Sequence, residues 1–212
     1  MTLVEFILLA ASSLFVIVDP IATVPAFLAM TPDDTPAERI RMARLACVVA
    51  AIVLLGFAVL GKAIFRLLGI TLPAFEMAGS IVLLLIAVDM LRARRSAVQE
   101  TAEEKDAGIA KEDIAITPLA VPMLAGPGAI TTAILLHNQA AAAGWPERIG
   151  LYACIIGVCA LSYLILRLSA QGARWLSPIV MRVATRVMGL LLAAVAMQFM
   201  LNAVRELKRT LF

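Results

Sequence analysis

Two stretches of the sequence combine helix-breaking prolines with groups that could bind a small charged solute. The first runs from Asp19 to Pro25, and the second, in the other half of the chain, runs from Thr117 to Thr132. Proline lacks an amide donor and clashes with the carbonyl four residues before it, so a helix must bend or break at these points. The carboxylate, the hydroxyls and the freed backbone groups are suited to holding an ion or a zwitterion.

Both breaks offer the same kinds of group: prolines, small residues that let the backbone approach a ligand, and hydroxyls. A half-helix that restarts after the prolines presents N-terminal amides, which favour an anion such as a carboxylate. Carbonyls freed on the preceding half attract a cation or an ammonium group. The candidate substrate-binding residues are Asp19, Pro20, Ala22, Thr23, Pro25, Gly126, Pro127, Gly128, Thr131, Thr132 and Gln198. The alternative is a pair of ordinary proline kinks packed against neighbouring helices.

Three roles are open to Asp19, the only carboxylate at the first break. It could bind a coupling ion (a proton or sodium), bind the ammonium of a solute, or cap the half-helix that begins at Pro20. Gln198 and Asn202 lie one turn apart, and hydrogen bonding between helices is the usual role of such residues. Glu76 is expected in a first helical turn, where an acid is favourable.

The composition indicates a membrane protein. The 212 residues are 62% hydrophobic and 16% charged, with a mean hydropathy of +0.97. A soluble domain is nearer half apolar and a quarter charged. A membrane-spanning helix uses about 20 residues, so six spans with short loops nearly exhaust the chain. Membrane lipid is the expected partner of the apolar surface, and the net charge of +3 does not imply nucleic acid.

The chain is predicted to be all-α and polytopic, a single transmembrane domain over residues 1–212. Apolar segments are expected at roughly 3–30, 42–68, 74–91, 114–143, 147–170 and 183–206, the first and fourth of them broken. A hydrophilic linker, 92–113, separates repeat one (1–91) from repeat two (114–212). A weak internal match between Glu38-Arg39-Ile40 and Glu147-Arg148-Ile149 supports two repeats of three spans. Because three is odd, the two halves must be inverted in the membrane.

Basic residues predict the orientation. Most of the 18 Lys and Arg residues fall in the loops after the first, third and fifth spans. Such loops face the cytoplasm by the positive-inside rule. The linker 92–113 is therefore predicted to be cytoplasmic and both termini to lie outside, although the basic tail after Arg205 favours the opposite orientation.

Enzymatic chemistry finds little support in the sequence. An intramembrane aspartyl site needs paired carboxylates, and Gly126-Pro127 stands where a partner for Asp19 would lie. His137 is the lone histidine, and no serine lies in a nucleophile-elbow motif. The three cysteines lack metal-ligand spacing and are expected to be buried thiols. We expect no enzyme, no catalytic residues, no bound metal and no cofactor.

The chain resembles the MarC family of bacterial integral membrane proteins over essentially its whole length. The matching stretches are Val18 to Pro25, Thr117 to Ile130, Ala78-Gly79-Ser80 to Asp89-Met90-Leu91, and Met188-Gly189-Leu190 to Gln198-Phe199. Ala22 stands where the family often has glycine. The resemblance implies a six-span protein of the inner membrane, with periplasmic termini in the orientation above. Some relatives are described as transporters of small neutral amino acids such as alanine and glycine.

These observations predict a secondary transporter of small zwitterionic solutes that uses alternating access around two broken helices. The alternative is a non-transporting membrane scaffold or regulatory protein. A solvated cavity between the breaks favours the transporter, whereas a dry and fully packed midplane favours the scaffold. The coupling ion, the direction of transport, any role in antibiotic resistance and the formation of a homo-oligomer are left open.

The orientation can be tested by cysteine labelling. In a variant without the native cysteines, one cysteine replaces Glu104 in the linker and another is added after Phe212. An impermeant maleimide should label the C-terminal site in intact cells and the linker site only in inverted vesicles, because three predicted spans, an odd number, separate the two. Labelling of both positions from one side would reject the predicted orientation.

Overall fold

The chain is helical throughout the part that the structure describes, residues 2–31, 34–92, 115–172 and 178–211. This computed structural model places α1 at Leu3–Val18, α2 at Pro20–Met30, α3 at Pro36–Leu68, α4 at Leu72–Leu91, α5 at Pro127–Ala143, α6 at Trp145–Gly172 and α7 at Pro178–Leu211. Residues Ala115–Leu124 form an irregular helical segment before α5. No strand occurs in these ranges, so the predicted all-α class is confirmed. The predicted linker lies almost wholly outside the described residues.

The first break separates α1 from α2 at a single residue, Asp19. Its backbone is left-handed, with φ 42° and ψ 65°, so α1 cannot continue into α2. Pro20 then occupies the first position of α2, where its missing amide leaves no bond unmade. The interruption predicted at Asp19-Pro20 is present.

The second break is longer and is made by two prolines. Thr117 and Val121, which precede Pro118 and Pro122, have extended backbone with φ −129° and −130°. The ring of a following proline disfavours the helical conformation, which explains both departures. The segment 115–124 meets α5 at an angle of 56°. Together they form a broken span or a re-entrant loop.

Four stretches of the described chain are long and apolar enough to cross a membrane: Leu3–Met30, Pro36–Leu68, Trp145–Gly172 and Gly189–Lys208. The bent pair of 115–124 and α5 raises the number to five. The apolar part of α4, Leu72–Val88, is shorter than the others. The structure therefore supports four to five spans by length and composition, and the six-span arrangement stays a prediction.

Small residues allow the helices to pack closely. Ala43, Ala46 and Ala50 form one fully buried face of α3, and such residues let helix backbones approach each other in membranes. Helix α3 packs on α6, α4 packs on α7, and α5 contacts α1, α3, α4 and α6. Large apolar side chains on the outer surface, such as Leu67 at 86% exposure, face the surroundings. The broken segments thus pack against apolar helices.

One close contact fixes α4 against the start of α5. A Cβ atom at Gly79 would overlap the ring of Pro127, whereas one at Gly157 on α6 meets nothing within 4 Å. Gly79→Ala should therefore lower the free energy of unfolding by about 1–3 kcal/mol through overpacking. The matched Gly157→Ala should be neutral, or stabilising by up to about 1 kcal/mol. Thermal unfolding in detergent measures both, and equal melting temperatures would show that the contact is absent.

Candidate solute-binding site

Asp19 joins the two halves of the first broken helix. Its amide donates to the carbonyl of Phe15 at 3.0 Å, which ends α1. Its Oδ1 accepts a hydrogen bond from the amide of Ala22 at 3.1 Å, which caps α2. Among the described residues the second carboxylate oxygen, Oδ2, makes no hydrogen bond. Asp19 is thus a helix cap that keeps one charged oxygen available to a ligand.

Thr23 stabilises the same turn from the next position along α2. Its hydroxyl donates to the carbonyl of Asp19 at 3.0 Å, and the side chain is buried. Pro20 is buried beside it, and Pro25 is half-buried farther along α2. Thr23 is therefore turned inward and bonded locally, whereas Asp19 is exposed and bonds locally through Oδ1.

The second break leaves a helix start without a cap. Gly126 occupies the N-cap position of α5, and no side chain bonds to the first amides of this helix. The residues from Gly126 to Ala129 are all buried, and the first amides of a helix lack intrahelical partners. A Cβ at Gly126 would lie 2.5 Å from the carbonyl oxygen of Pro122, so only glycine fits the turn. This buried positive helix end suits an anion.

A cavity of about 90 Å³ lies between the two breaks. It is lined by Asp19, Ala22 and Thr23 at the first break and by Gly126 and Ala129 at the start of α5. The rest of its lining is apolar: Ile17, Val18, Ala26, Leu83, Pro122, Met123, Leu191, Leu192, Val195 and Phe199. The volume is several times the roughly 10–15 Å³ that one water molecule needs. The arrangement can hold a small solute with a charge at each end.

The cavity brings together four of the predicted site residues: Asp19, Ala22, Thr23 and Gly126. Seven others do not line it: Pro20, Pro25, Pro127, Gly128, Thr131, Thr132 and Gln198. Gly128 lies directly behind the lining, since a Cβ there would be 2.9 Å from Cζ of Phe199 and 3.4 Å from Cγ2 of Ile17. Gly128 therefore gives the Phe199 ring the space that it occupies.

Two predictions about single side chains are wrong in detail. Gln198 is exposed, and its Nε2 donates to Oδ1 of Asn202 at 2.9 Å. Both residues lie on α7, so the bond is within one helix rather than between two. Glu76 is not in the first turn of its helix, because α4 begins earlier than expected, at Leu72. A helix-end role therefore does not account for this acid.

The wall that α7 contributes was missed from the sequence. Leu191, Val195 and Phe199 recur every four residues and so lie on one face of α7. That spacing was readable, but an apolar face of a membrane helix usually contacts lipid or a neighbouring helix. The residue types do not distinguish a helix face that lines a cavity from one that contacts lipid or a neighbouring helix.

The cap that Asp19 provides predicts a graded loss of stability. Asp19→Asn keeps an acceptor for the amide of Ala22 and a residue that tolerates left-handed backbone, so melting should change little. Asp19→Ala removes the acceptor, at about 0.5–2 kcal/mol, which lowers the melting temperature by about 2–4 °C per kcal/mol at this chain length. Thr35→Ala removes the side-chain cap of α3 and shows how far the melting temperature falls when an ordinary helix cap is lost. If the Asp19→Asn and Asp19→Ala variants had the same melting temperature, the capping interpretation would be wrong.

Comparisons with known proteins cover nearly the whole chain. The sequence matches the family model for MarC family integral membrane proteins over residues 4–208. It is 39% identical to a UPF0056 membrane protein of Bacillus subtilis over 201 residues, 91% of this chain and 90% of the relative. A UPF0056 membrane protein of Methanocaldococcus jannaschii is 35% identical over 201 residues, 95% of this chain and 97% of the relative. One from Escherichia coli is 32% identical over 197 residues, 91% of this chain and 88% of the relative.

No solved structure matches the chain. The family assignment therefore rests on the sequence match, which includes both breaks and the helices around them. The sequence-based resemblance is confirmed: the protein belongs to the MarC family of integral membrane proteins.

Proposed function

We propose that the protein is an inner-membrane secondary transporter of small neutral amino acids, which works by alternating access around the two broken helices. The observation that supports this most is the small cavity between the breaks, with a carboxylate on one side and an uncapped helix start on the other. A scaffold or regulatory protein has no need of such a cavity. Transporters commonly bind their solutes where two discontinuous helices meet.

The charges around the cavity match the two ends of an amino acid. The first amides of α5 carry the positive end of the helix dipole and lack a side-chain cap, so they can bind the solute's carboxylate. The free oxygen of Asp19 can accept a hydrogen bond from its ammonium group. The remaining wall is apolar and close, which favours a small, uncharged side chain such as hydrogen or methyl.

The pattern of helix packing supports two inverted repeats of three spans. In this correspondence α1 matches segment 115–124, α2 matches α5, α3 matches α6, and α4 matches α7. Matching helices can pack on each other across a two-fold axis, and α3 with α6 and α4 with α7 do so. Contacts between non-matching helices also come in equivalent pairs. The contact of α1 with α6 is equivalent to that of segment 115–124 with α3, and the contact of α2 with α7 is equivalent to that of α5 with α4. The contacts of α5 with α6 and of α4 with segment 115–124 have no equally extensive counterpart.

An approximate two-fold axis explains these pairs. Because each repeat has three spans, the axis must lie in the membrane plane, and the two breaks meet near the midplane. Broken backbone is tolerated at that depth only against protein or a water-filled cavity. Rocking of one repeat against the other would open the cavity to each side in turn. The charged linker 92–113 is then cytoplasmic, and both termini are periplasmic.

The proposal is tested with purified protein in liposomes. Counterflow of labelled alanine should be saturable and should be inhibited by glycine but not by leucine or glutamate. Asp19→Asn should reduce uptake by about 10–100-fold, since a hydrogen bond to a charged group contributes about 1.5–3 kcal/mol. Lack of counterflow with every small amino acid in folded wild-type protein would favour the scaffold alternative.

Gly128 offers a second variant, whose effect depends on solute size. In Gly128→Ala the new methyl group must displace the Phe199 ring, which lines the cavity. Uptake of alanine should then fall more than uptake of glycine, while Gly157→Ala, on an open helix face, should leave both unchanged. Adding Phe199→Leu should restore alanine uptake. An equal loss for the two amino acids would contradict the proposed position of the solute.

A further inference from the structure

We propose that Glu76 on α4 and Thr131 on α5 form the binding site for the cation that is coupled to transport. This inference rests on the proposed function and adds to it a second site, one helical turn away from the break before α5. The ligand is a single monovalent positive charge, carried as a proton by the carboxylate or as a sodium ion by carboxylate and hydroxyl oxygens together.

The register of α4 and α5 brings the two residues together. Leu83 shares the cavity with Gly126, and Gly79 touches Pro127. As residue numbers fall along α4, they rise along α5, so the two helices run antiparallel. One further turn in this register places Glu76 opposite Thr131, and the two side chains are within interaction distance.

Thr131 points to a ligand independently of the acid. The residue is only 8% exposed, and its Oγ1 makes no hydrogen bond of ordinary geometry, although the Glu76 carboxylate lies close to it. Buried hydroxyls are normally satisfied, because desolvation without a partner is unfavourable. Most threonines in membrane helices bond to a carbonyl in the preceding turn, as Thr23 does. Thr131 instead keeps its oxygen for a group between α4 and α5.

The charges that face Glu76 favour a cation. Glu206 approaches from α7 and adds a second negative charge. The segment 115–124 contains no ionisable residue. The only ionisable residue of α5 is His137, which stacks on Tyr152 of α6 with ring centroids 5.9 Å apart. Segment 115–124 and α5 therefore bring no basic side chain against Glu76, while Arg205 and Lys208 lie beside Glu206 in the sequence of α7. A bound cation would neutralise the carboxylate of Glu76.

This position connects the cation to the solute. Pro127 begins the half-helix whose N-cap residue, Gly126, lines the cavity, and it touches α4 at Gly79, between the cavity and Glu76. A cation held by both Glu76 and Thr131 bridges α4 to that half-helix. Its presence or absence thereby changes how firmly the helix start is held, which couples the two sites.

The site is tested by thermal unfolding of the detergent-purified protein without any amino acid, so the result does not depend on transport. Sodium chloride is compared with choline chloride at equal ionic strength, and both are repeated over a series of pH values. A bound cation stabilises the folded state, and the wild-type melting temperature should rise by at least about 2–4 °C with sodium or on acidification. The matched control is Glu147→Gln, a half-buried acid in the first turn of α6.

Glu76→Gln should abolish the response, and Glu147→Gln should retain it. Thr131→Val distinguishes the two cations: a sodium response needs the hydroxyl oxygen and disappears, whereas a proton response remains. If Glu76→Gln does not fold, Glu76→Asp should keep a weaker response, since the shorter side chain retains the carboxylate but holds it farther from Thr131. Identical responses in wild type, the position-76 variant and Glu147→Gln overturn the proposal. A response that follows Glu76 without any amino-acid counterflow supports the cation site and rejects the transporter.

Discussion

Backbone groups inside an apolar layer must find partners, and this constraint organises the molecule. Proline removes amides and frees carbonyls in two places, at Asp19-Pro20 and between Thr117 and Pro127. Lipid cannot satisfy these groups. The helices of the first break pack against α6 and α7, and those of the second pack against α3, α4 and α6. The buried alanines of α3 contribute to this packing, because their small side chains let neighbouring helices come close.

The two breaks satisfy that constraint in different ways. The first is closed by its own side chains, with Asp19 and Thr23 bonding to backbone groups of the same turn. The second relies on glycine at Gly126 and has no side-chain cap. One end of the cavity thus carries a carboxylate, and the other is a helix start without a side-chain cap. This difference makes the two ends of the cavity chemically distinct.

The sequence predicts the breaks well and their surroundings poorly. Proline acts on its own backbone, so the positions of both breaks and the capping by Asp19 could be predicted from a few residues. The apolar wall from Leu191 to Phe199 could not, because lipid-facing and cavity-facing leucines look alike. The surroundings of Glu76 depend on how α4 lies against α5, and that register follows from the contact between Gly79 and Pro127. The number of spans depends in part on α4, whose apolar part in the described residues ends at Val88.

Helix α7 has a consequence for how specificity can change. Only 11% of its apolar window, Gly189–Lys208, is buried, yet its side chains form one wall of the cavity. Substitutions at Leu191 or Val195, both of which are exposed, therefore meet few constraints from the core. The shape of the cavity can drift during evolution while the breaks and the alanine-packed helices stay the same. The packed core and the wall of the cavity thereby lie in different parts of the chain.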